Sequence, residues 1–422
     1  MTQLQSTGRL RILFALPGLH AVNRGAETAF ESLAVELAKL HQRVTLIGSG
    51  WPIPGRPYQF IHAGCISRDW FTHFPRLPFL RSHYAYEEMT FATNLWRKFR
   101  PEDFDVTLTC GFPYCNAILR NRRQCPSPSA YSPSPCNQGE GRAEGSSDRA
   151  SGLPTSKTHP HPLPEYMERG QESNRRGAVH VFVTQNGDHM LSSRKFDYRS
   201  FSCDGLVCTN AHICERHVHR WPSALIPNGV DTSAFSPGPG NRAQFGLPPS
   251  GPIILMVSAL IPSKRIPDAI RAVAKIKDAA LVIAGDGELR KQIQTIGNEL
   301  LSGRFFLLQL ARDQMPALYR CADAVLHTSL DEPSAHVYVE SLAAGVPIVA
   351  HDSPVTRWTF NHTAFLVDAE DEVALVAALE HALRANSPAE IAERRDIAER
   401  RFAWPIIAGK YLDFFHQVIA KC

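Results

Sequence analysis

The chain has no long hydrophobic run. Its most apolar windows, such as Pro252 to Ile261, fall well short of the roughly 20 residues a membrane-spanning helix needs. No secretory pattern precedes the first apolar strand, Arg11 to Leu16, so the expected location is cytoplasmic. Charge of one sign is not in excess either. Lysine and arginine total 45 against 41 acidic residues, a formal net charge of +4, and nucleic acid is therefore not expected as a partner. The ten cysteines are scattered rather than framed, which suits a reducing compartment. No G-x-G-x-x-G follows the first strand, which disfavours a dinucleotide-dependent dehydrogenase.

What is present is an ordinary globular composition, 44% apolar and 20% charged over 422 residues, long enough for two or three domains. Apolar strands and amphipathic helices alternate along it. In the N-terminal part the strands read Arg11–Leu16, Val44–Ile47, Val106–Thr109, Val179–Thr184 and Gly205–Cys208, with a helix near Glu27–Leu40 and another at Ala211–Arg220. The pattern starts afresh after a Pro/Gly break at Phe235–Gly240. It then runs through strands Ile253–Val257, Ala280–Ala284, Phe305–Gln309, Ala324–His327, Ile348–Ala350 and Ala364–Val367. Strand–helix alternation of this kind implies parallel sheets covered on both faces. The expected fold class is α/β, with two doubly wound domains in tandem over 1–232 and 233–403. The amphipathic tail 404–422 is expected to pack as a helix across their junction. Residues 124–176 are rich in Pro, Ser, Gly and charge and poor in branched aliphatics. They read as a disordered insertion within the first domain.

Two local clusters have competing readings. Cys203, Cys208, His212, Cys214, His217 and His219 look superficially like zinc ligands. Their spacing repeats no C-x-x-C knuckle, and residues two apart do not share a helical face, so a structural role is expected. The basic runs Trp96–Arg100 and Arg120–Arg123 read either as solvated faces or as peripheral contact with an anionic membrane.

The most informative block is Asp331-Glu332-Pro333-Ser334-Ala335-His336-Val337-Tyr338-Val339-Glu340. Glu332 lies in a polar loop after a buried strand, and Glu340 lies in an apolar helix that leads to the next strand. Such a βαβ unit presents its loop and helix N-terminus at the carboxyl ends of the strands, where anionic ligands are held. A carboxylate there is a natural acceptor for paired hydroxyls. Lys264, after the strand Ile253–Val257 and a proline-containing loop, can bring a point charge to the same crevice. Gly25, closing the first strand–helix loop, is either a plain turn or a place where backbone can approach a phosphate. Gly285-Asp286-Gly287 reads as a turn.

Taken in order, Gly25-Ala26-Glu27, Ile226-Pro227-Asn228-Gly229-Val230-Asp231, Val257 to Arg265, Ile283-Ala284-Gly285-Asp286-Gly287 and Glu332-x7-Glu340 resemble glycosyltransferase family 4. That resemblance implies a GT-B fold, two Rossmann-like domains facing across a cleft, and retaining transfer from a nucleotide-sugar. It implies that Glu340 bonds the donor's ribose hydroxyls and that Glu332 contacts the transferred sugar. Lys264 and the amides of Ala335, His336 and Val337 would hold phosphate oxygens, with the base near Gln309–Arg312. His336 would either add a donor to sugar or phosphate or be a tolerated loop residue. Family members usually carry an arginine where this chain has Ala259, and the neighbouring Arg265 is the expected substitute. They also carry a histidine after an N-terminal strand. The corresponding segments, Thr109–Pro113 and Thr184–His189, do not offer one at that place, which leaves Asn186, Asp188 and His189 as acceptor-side candidates.

The expected function is retaining transfer of a hexose-type sugar to an acceptor hydroxyl of a glycan or lipid-linked precursor. Glu332 and Lys264 would be catalytic. No cofactor, metal or Asp-x-Asp site is expected, since Lys264 and helix amides can neutralise the diphosphate. The alternatives are a nucleotide-sugar-binding protein without turnover and a sugar-nucleotide epimerase.

Overall fold

The computed structural model describes residues 8–22, 24–77, 80, 82–111, 113–121, 177–185 and 202–422. The segment 124–176, read above as an insertion, lies outside the described residues.

The first half contains β1 (Arg11–Ala15), α1 (Gly25–Lys39), β2 (Arg43–Gly48), β3 (Gln59–His62), α2 (His83–Lys98), β4 (Val106–Thr109), α3 (Tyr114–Asn121), β5 (Val179–Val183), β6 (Gly205–Cys208), α4 (Ala211–His217) and β7 (Ser223–Leu225). Its strands form one parallel sheet in the order β3-β2-β1-β4-β5-β6-β7. Ile12 lies opposite Val44 on one side and Val106 on the other. These central strands are buried on both faces; β1 is accordingly an almost unbroken apolar run, while the polar positions Thr107, Thr109 and His180 of β4 and β5 are buried with hydrogen-bond partners.

The second half contains β8 (Ile253–Val257), α5 (Ile266–Ala274), β9 (Ala280–Ala284), α6 (Arg290–Leu300), β10 (Phe305–Leu308), α7 (Met315–Tyr319), β11 (Ala324–His327), α8 (His336–Ala344), β12 (Ile348–His351), α9 (Pro354–Phe360), β13 (Phe365–Val367), α10 (Glu372–Ala382), α11 (Pro388–Ile397) and α12 (Trp404–Lys421). The second sheet is also parallel, in the order β10-β9-β8-β11-β12-β13. Chain direction across each sheet reverses once, between β1 and β4 and between β8 and β11. Ligands of open α/β sheets bind at such reversals, beyond the carboxyl ends of the strands.

The chain then returns to the first sheet. Phe402 and Trp404 exchange backbone hydrogen bonds with Val230. Along α12, Trp404, Ile407, Tyr411, Phe414, Phe415 and Val418 fall on one stripe and join the core that α1 builds with Phe30, Leu33 and Leu37. A Cβ on Gly229 would come within 2.5 Å of the Trp404 ring, so glycine is needed there for close approach.

Several elements were not visible as patterns. The buried face of α2 carries Ala85, Tyr86, Phe91 and Leu95 but also the buried carboxylates Glu87 and Glu88, which mask its apolar period. The edge strands β3 and β7 are four and three residues long. The expected helix at Ala211–Arg220 ends at His217. Cys203, Cys208 and Cys214 are buried with Phe182, Ile213 and Trp221 in one apolar cluster.

Candidate functional site

The loop after β8 turns through Pro262–Lys264 and passes through Arg265, a non-glycine residue at φ 52°, before α5 begins. Two hydroxyls from the loop after β11 hold this turn. Thr328 Oγ1 donates to the carbonyls of Lys264 and Arg265 at 2.8 and 3.2 Å, and Ser329 Oγ donates to that of Ser263. The two loops at the sheet reversal are thereby locked together.

Lys264 Nζ forms an ion pair with the Glu332 carboxylate. His327, at the buried end of β11, lies 3.5 Å from the same carboxylate oxygen, its ring edge-on to Tyr338. Burial would raise the Glu332 carboxyl, but His327 and Lys264 together outweigh it and hold the group at about 2. Glu332 is anionic throughout the physiological range.

No side chain caps the N-terminus of α8, which follows Ala335. Val337 points its side chain into the core, so only its backbone faces the loop. His336 is partly covered and its Nε2 meets the Gly25 carbonyl at 3.0 Å. A carbonyl only accepts, so Nε2 carries the hydrogen. Burial, aided by the Arg312 charge, lowers the His336 ring to about 4, and it is neutral near pH 7. Gly25 is the first residue of α1, and it contributes a carbonyl rather than an amide to this contact.

One helical turn further on, Glu340 is 5% exposed. Tyr319 Oη, at the end of α7, donates to its Oε2 at 3.0 Å, and Arg312 stands 3.7 Å from Oε1. Burial raises the carboxyl despite Arg312 and Tyr319. Desolvated carboxylates with directed partners are typical of functional positions. Arg312 belongs to the 309–312 segment singled out in the sequence, and Gln309 in turn donates to Asp286 at 3.1 Å.

Across from this edge, the loops that follow strands of the first sheet clamp the Glu332 loop. Asn210 donates to the Pro333 carbonyl at 2.7 Å, and Asn228 donates to Ser334 Oγ at 2.9 Å while accepting from Gln185 at 2.7 Å. Between the sheets lies a cleft of about 400 Å³. Glu332, Ser334 and His336 line it from one side; Arg24, Glu27, Arg68, Tyr84 and Gln185 line it from the other. That is the size range of small-molecule sites.

One expectation needs correcting and another meets competing partners. Arg265, expected as the second charge beside Lys264, has its guanidinium held by Asp268 at 2.8 Å and Glu370 at 3.0 Å, beside α5. The left-handed turn at its own backbone carries the side chain that way. The chain also does contain Asp-x-Asp spacing, at Asp103 and Asp105. Asp105 precedes β4 at the amino edge of the first sheet, ion-paired with Arg11 at 2.7 Å, at the opposite end from the cleft. Asn186, Asp188 and His189 lie outside the described residues. Residues the motifs did not single out are Arg24, Arg68, Tyr84, Gln185, Tyr319 and His327. Arg24 and Asn228 adjoin or sit within quoted motifs, but nothing in the pattern around Arg68 marks it.

This geometry can be set beside known proteins. Residues 239–401 match the family described as "Glycosyl transferases group 1". This stretch is similar to glycosyltransferase group 1 domains. It contains Lys264, Glu332 and Glu340, whereas Arg24 and Gly25 lie outside it. A GDP-mannose-dependent alpha-mannosyltransferase of Mycolicibacterium smegmatis is 29% identical over 209 residues, 48% of this chain and 52% of that protein. The lipopolysaccharide core biosynthesis glycosyltransferase LpsD of Rhizobium meliloti is 29% identical over 198 residues, 45% of this chain and 57% of that protein. The chain thus spans little more than half the length of these relatives. Among solved structures, sucrose-phosphate synthase from Thermosynechococcus elongatus superposes with a TM-score of 0.68 at 18% identity, covering 98% of this chain and all of that one. Anabaena HepE in complex with UDP-glucose gives 0.65 at 15% identity, with 98% and 100% coverage. The group 1 domain and the first sheet together make a GT-B fold.

Proposed function

We propose that the protein is a retaining glycosyltransferase of family 4 that moves a hexose from a nucleoside diphosphate to an acceptor hydroxyl in cell-surface glycan biosynthesis. The observation that carries this is the pair of carboxylates at the β8/β11 reversal, Glu332 half-buried and Glu340 buried. Glu332 is kept anionic by Lys264 and His327, and Glu340 is desolvated beside Tyr319 and Arg312. Residues 233–403 act as the donor half, 1–232 as the acceptor half, and 404–422 ties the two together.

In this reading the base lies against the 309–312 segment and the ribose hydroxyls donate to Glu340. The diphosphate lies between Lys264 and the uncapped start of α8, where backbone N–H groups favour anions. Glu332 faces the sugar. As the bond from the anomeric carbon to the β-phosphate oxygen breaks, its electron pair stays on that oxygen. The acceptor hydroxyl oxygen bonds the same face of the carbon, and its proton passes to the departing phosphate. The protein then needs no nucleophile of its own, only positioning and charge stabilisation. Asn210, Asn228 and His336 hold the loops of the two sheets together, and closure of the halves around a bound donor would expel water from the cleft.

GDP-mannose, named for the mycobacterial relatives, and UDP-glucose, bound by HepE, are the first donors to test. Release of GDP or UDP in the presence of a glycan or lipid-linked acceptor supports transfer. Tight binding with no turnover across donors and acceptors identifies a binding protein instead, and conversion of the free nucleotide-sugar without an acceptor identifies an epimerase.

The reading extends to peripheral contact with an anionic membrane from the cytoplasmic side. No helix among the described residues is long and apolar enough to cross one. A strip of exposed apolar side chains follows α2, however. Trp70 (68% exposed) packs on Phe74, which meets Tyr86; Ile66 sits by Thr90, and Trp51 (72% exposed) stacks on His62, whose carbonyl takes Lys98. Arg56, Arg76, Arg97 and Lys98 are exposed in the same region. Aromatic side chains flanked by basic ones suit an interface with acidic lipid.

A further inference from the structure

The donor's diphosphate brings two phosphates to the cleft, and cleavage adds an electron pair to one of them. The second sheet's side supplies little free positive charge for this. Its loop from Ser258 to Ser263 carries no basic residue. Lys264 is already paired with Glu332, Arg265 with Asp268 and Glu370, Arg290 with Asp286, and Arg312 faces Glu340.

Across the cleft the situation differs. Arg24 lines the same space as Glu332, Ser334 and His336. Its Nη1 is buried and has no hydrogen-bond partner. The nearest carboxylate, Glu87, is 3.8 Å away and already accepts from Arg68 Nε and Nη2 at 2.9 and 2.7 Å. Two guanidiniums therefore share Glu87, with Glu27 nearby on the same wall, and Arg24 Nη1 is left as an unsatisfied N–H facing the cavity. A buried unsatisfied donor is costly unless a ligand completes it. The position of Arg24 says which ligand. It immediately precedes Gly25, whose carbonyl receives the His336 hydrogen bond at the first residue of α8. The backbone at Arg24 thus passes the N-terminus of α8, the end that attracts anions, while its guanidinium lines the cleft on the side of Glu87.

We propose that Arg24 reaches across the cleft to the donor's diphosphate and supplies the cation that Lys264, shared with Glu332, does not fully provide. The inference rests on the donor-site reading above. It makes diphosphate recognition a property of both halves: the nucleoside is held by the group 1 domain alone, while full affinity for the diphosphate needs the first half. On bond cleavage the electron pair left on the β-phosphate oxygen falls to Arg24 and Lys264 together, until the acceptor's proton reaches it.

The test is calorimetric titration of the full chain with GDP, UDP, guanosine and uridine, in wild type, Arg24→Gln, Arg24→Lys and Glu340→Ala. Arg24→Gln should weaken binding of the preferred diphosphate on the order of 10- to 100-fold, the usual worth of a charged hydrogen bond, and leave the matching nucleoside within about twofold. Arg24→Lys should recover part of the loss. Unchanged nucleoside binding also shows that the variant is folded. Equal diphosphate affinity in Arg24→Gln and wild type overturns the proposal, as does an equal loss for nucleoside and diphosphate. So does a raised acceptor KM at unchanged diphosphate affinity, which assigns Arg24 to the acceptor. If Glu340→Ala abolishes binding while Arg24→Gln does not, the donor site stands and only the role of Arg24 falls. If wild type binds neither GDP nor UDP, the donor reading fails and takes this one with it.

Discussion

At the scale of single residues, two glutamates differ in their surroundings. Glu340 is desolvated with neutral and cationic donors around it, as a receptor for hydroxyls should be. Glu332 is ion-paired and held anionic, as a group facing developing positive charge should be. Glu332→Gln is expected to cut transfer on the order of 100-fold or more while leaving nucleoside diphosphate affinity within about threefold, read by steady-state kinetics beside calorimetry. Away from the reacting centre, Glu88 makes a pH prediction. It is fully buried, its Oε1 accepts from the Cys115 amide at 2.9 Å, and its Oε2 has no partner. Burial raises its carboxyl from 4.5 to about 7. Between those values the folded protein holds a proton that the unfolded chain releases, so this group's contribution to stability falls as pH rises through 7. Glu88→Gln should flatten that dependence and stabilise the protein above pH 7, by up to about 3 kcal/mol, seen as a higher Tm at pH 8. The spacing of Glu332 and Glu340 was legible in the sequence because both lie in one continuous strand–loop–helix. The acidic partners of Arg265 were not legible, because Asp268 and Glu370 meet it only once the chain turns left-handed at Arg265 itself. Arg24, Arg68 and Tyr84 were not singled out because the cleft that unites them comes from three separate segments.

At the scale of elements, most strands were readable because parallel strands buried on both faces are rich in apolar and β-branched residues, even where Thr107, Thr109 or His180 interrupts the run. The helices were readable only where a single apolar stripe survived. α1 and α12 keep such stripes and pack on each other, whereas α2 hides its stripe behind Glu87 and Glu88. The return of α12 to the first sheet makes the C-terminal segment part of the N-terminal core. Phe415 is fully buried there. Phe415→Ala should cost about 3–5 kcal/mol, and the melting transition that shifts should be that of the first half. If limited proteolysis and thermal melts show only the group 1 domain destabilised, this packing is not what holds α12. The Gly229 contact sharpens the point, since a methyl group there would displace Trp404 at the start of the same helix.

At the scale of the whole molecule, function follows from two sheets presenting their carboxyl edges to one cleft. The tandem α/β pattern was visible in the sequence, but the hydrogen bonds that join the halves at Asn210, Asn228 and His336 were not, because each links residues far apart in the chain. The apolar strip along α2 gives a prediction at this scale. Full-length protein should sediment with vesicles containing phosphatidylglycerol but not with purely zwitterionic ones, and Trp70→Ser with Phe74→Ser should abolish this while leaving nucleotide binding intact. Binding that ignores lipid charge or survives the double substitution would remove the membrane from the account. The most direct test of the central claim is calorimetric titration of wild type and Glu340→Ala with GDP and UDP, the folding of each checked by circular dichroism. The account predicts that wild type binds one of them and that Glu340→Ala, equally folded, loses at least about 30-fold in affinity. Indistinguishable binding by the two proteins, or no binding by wild type, would contradict it.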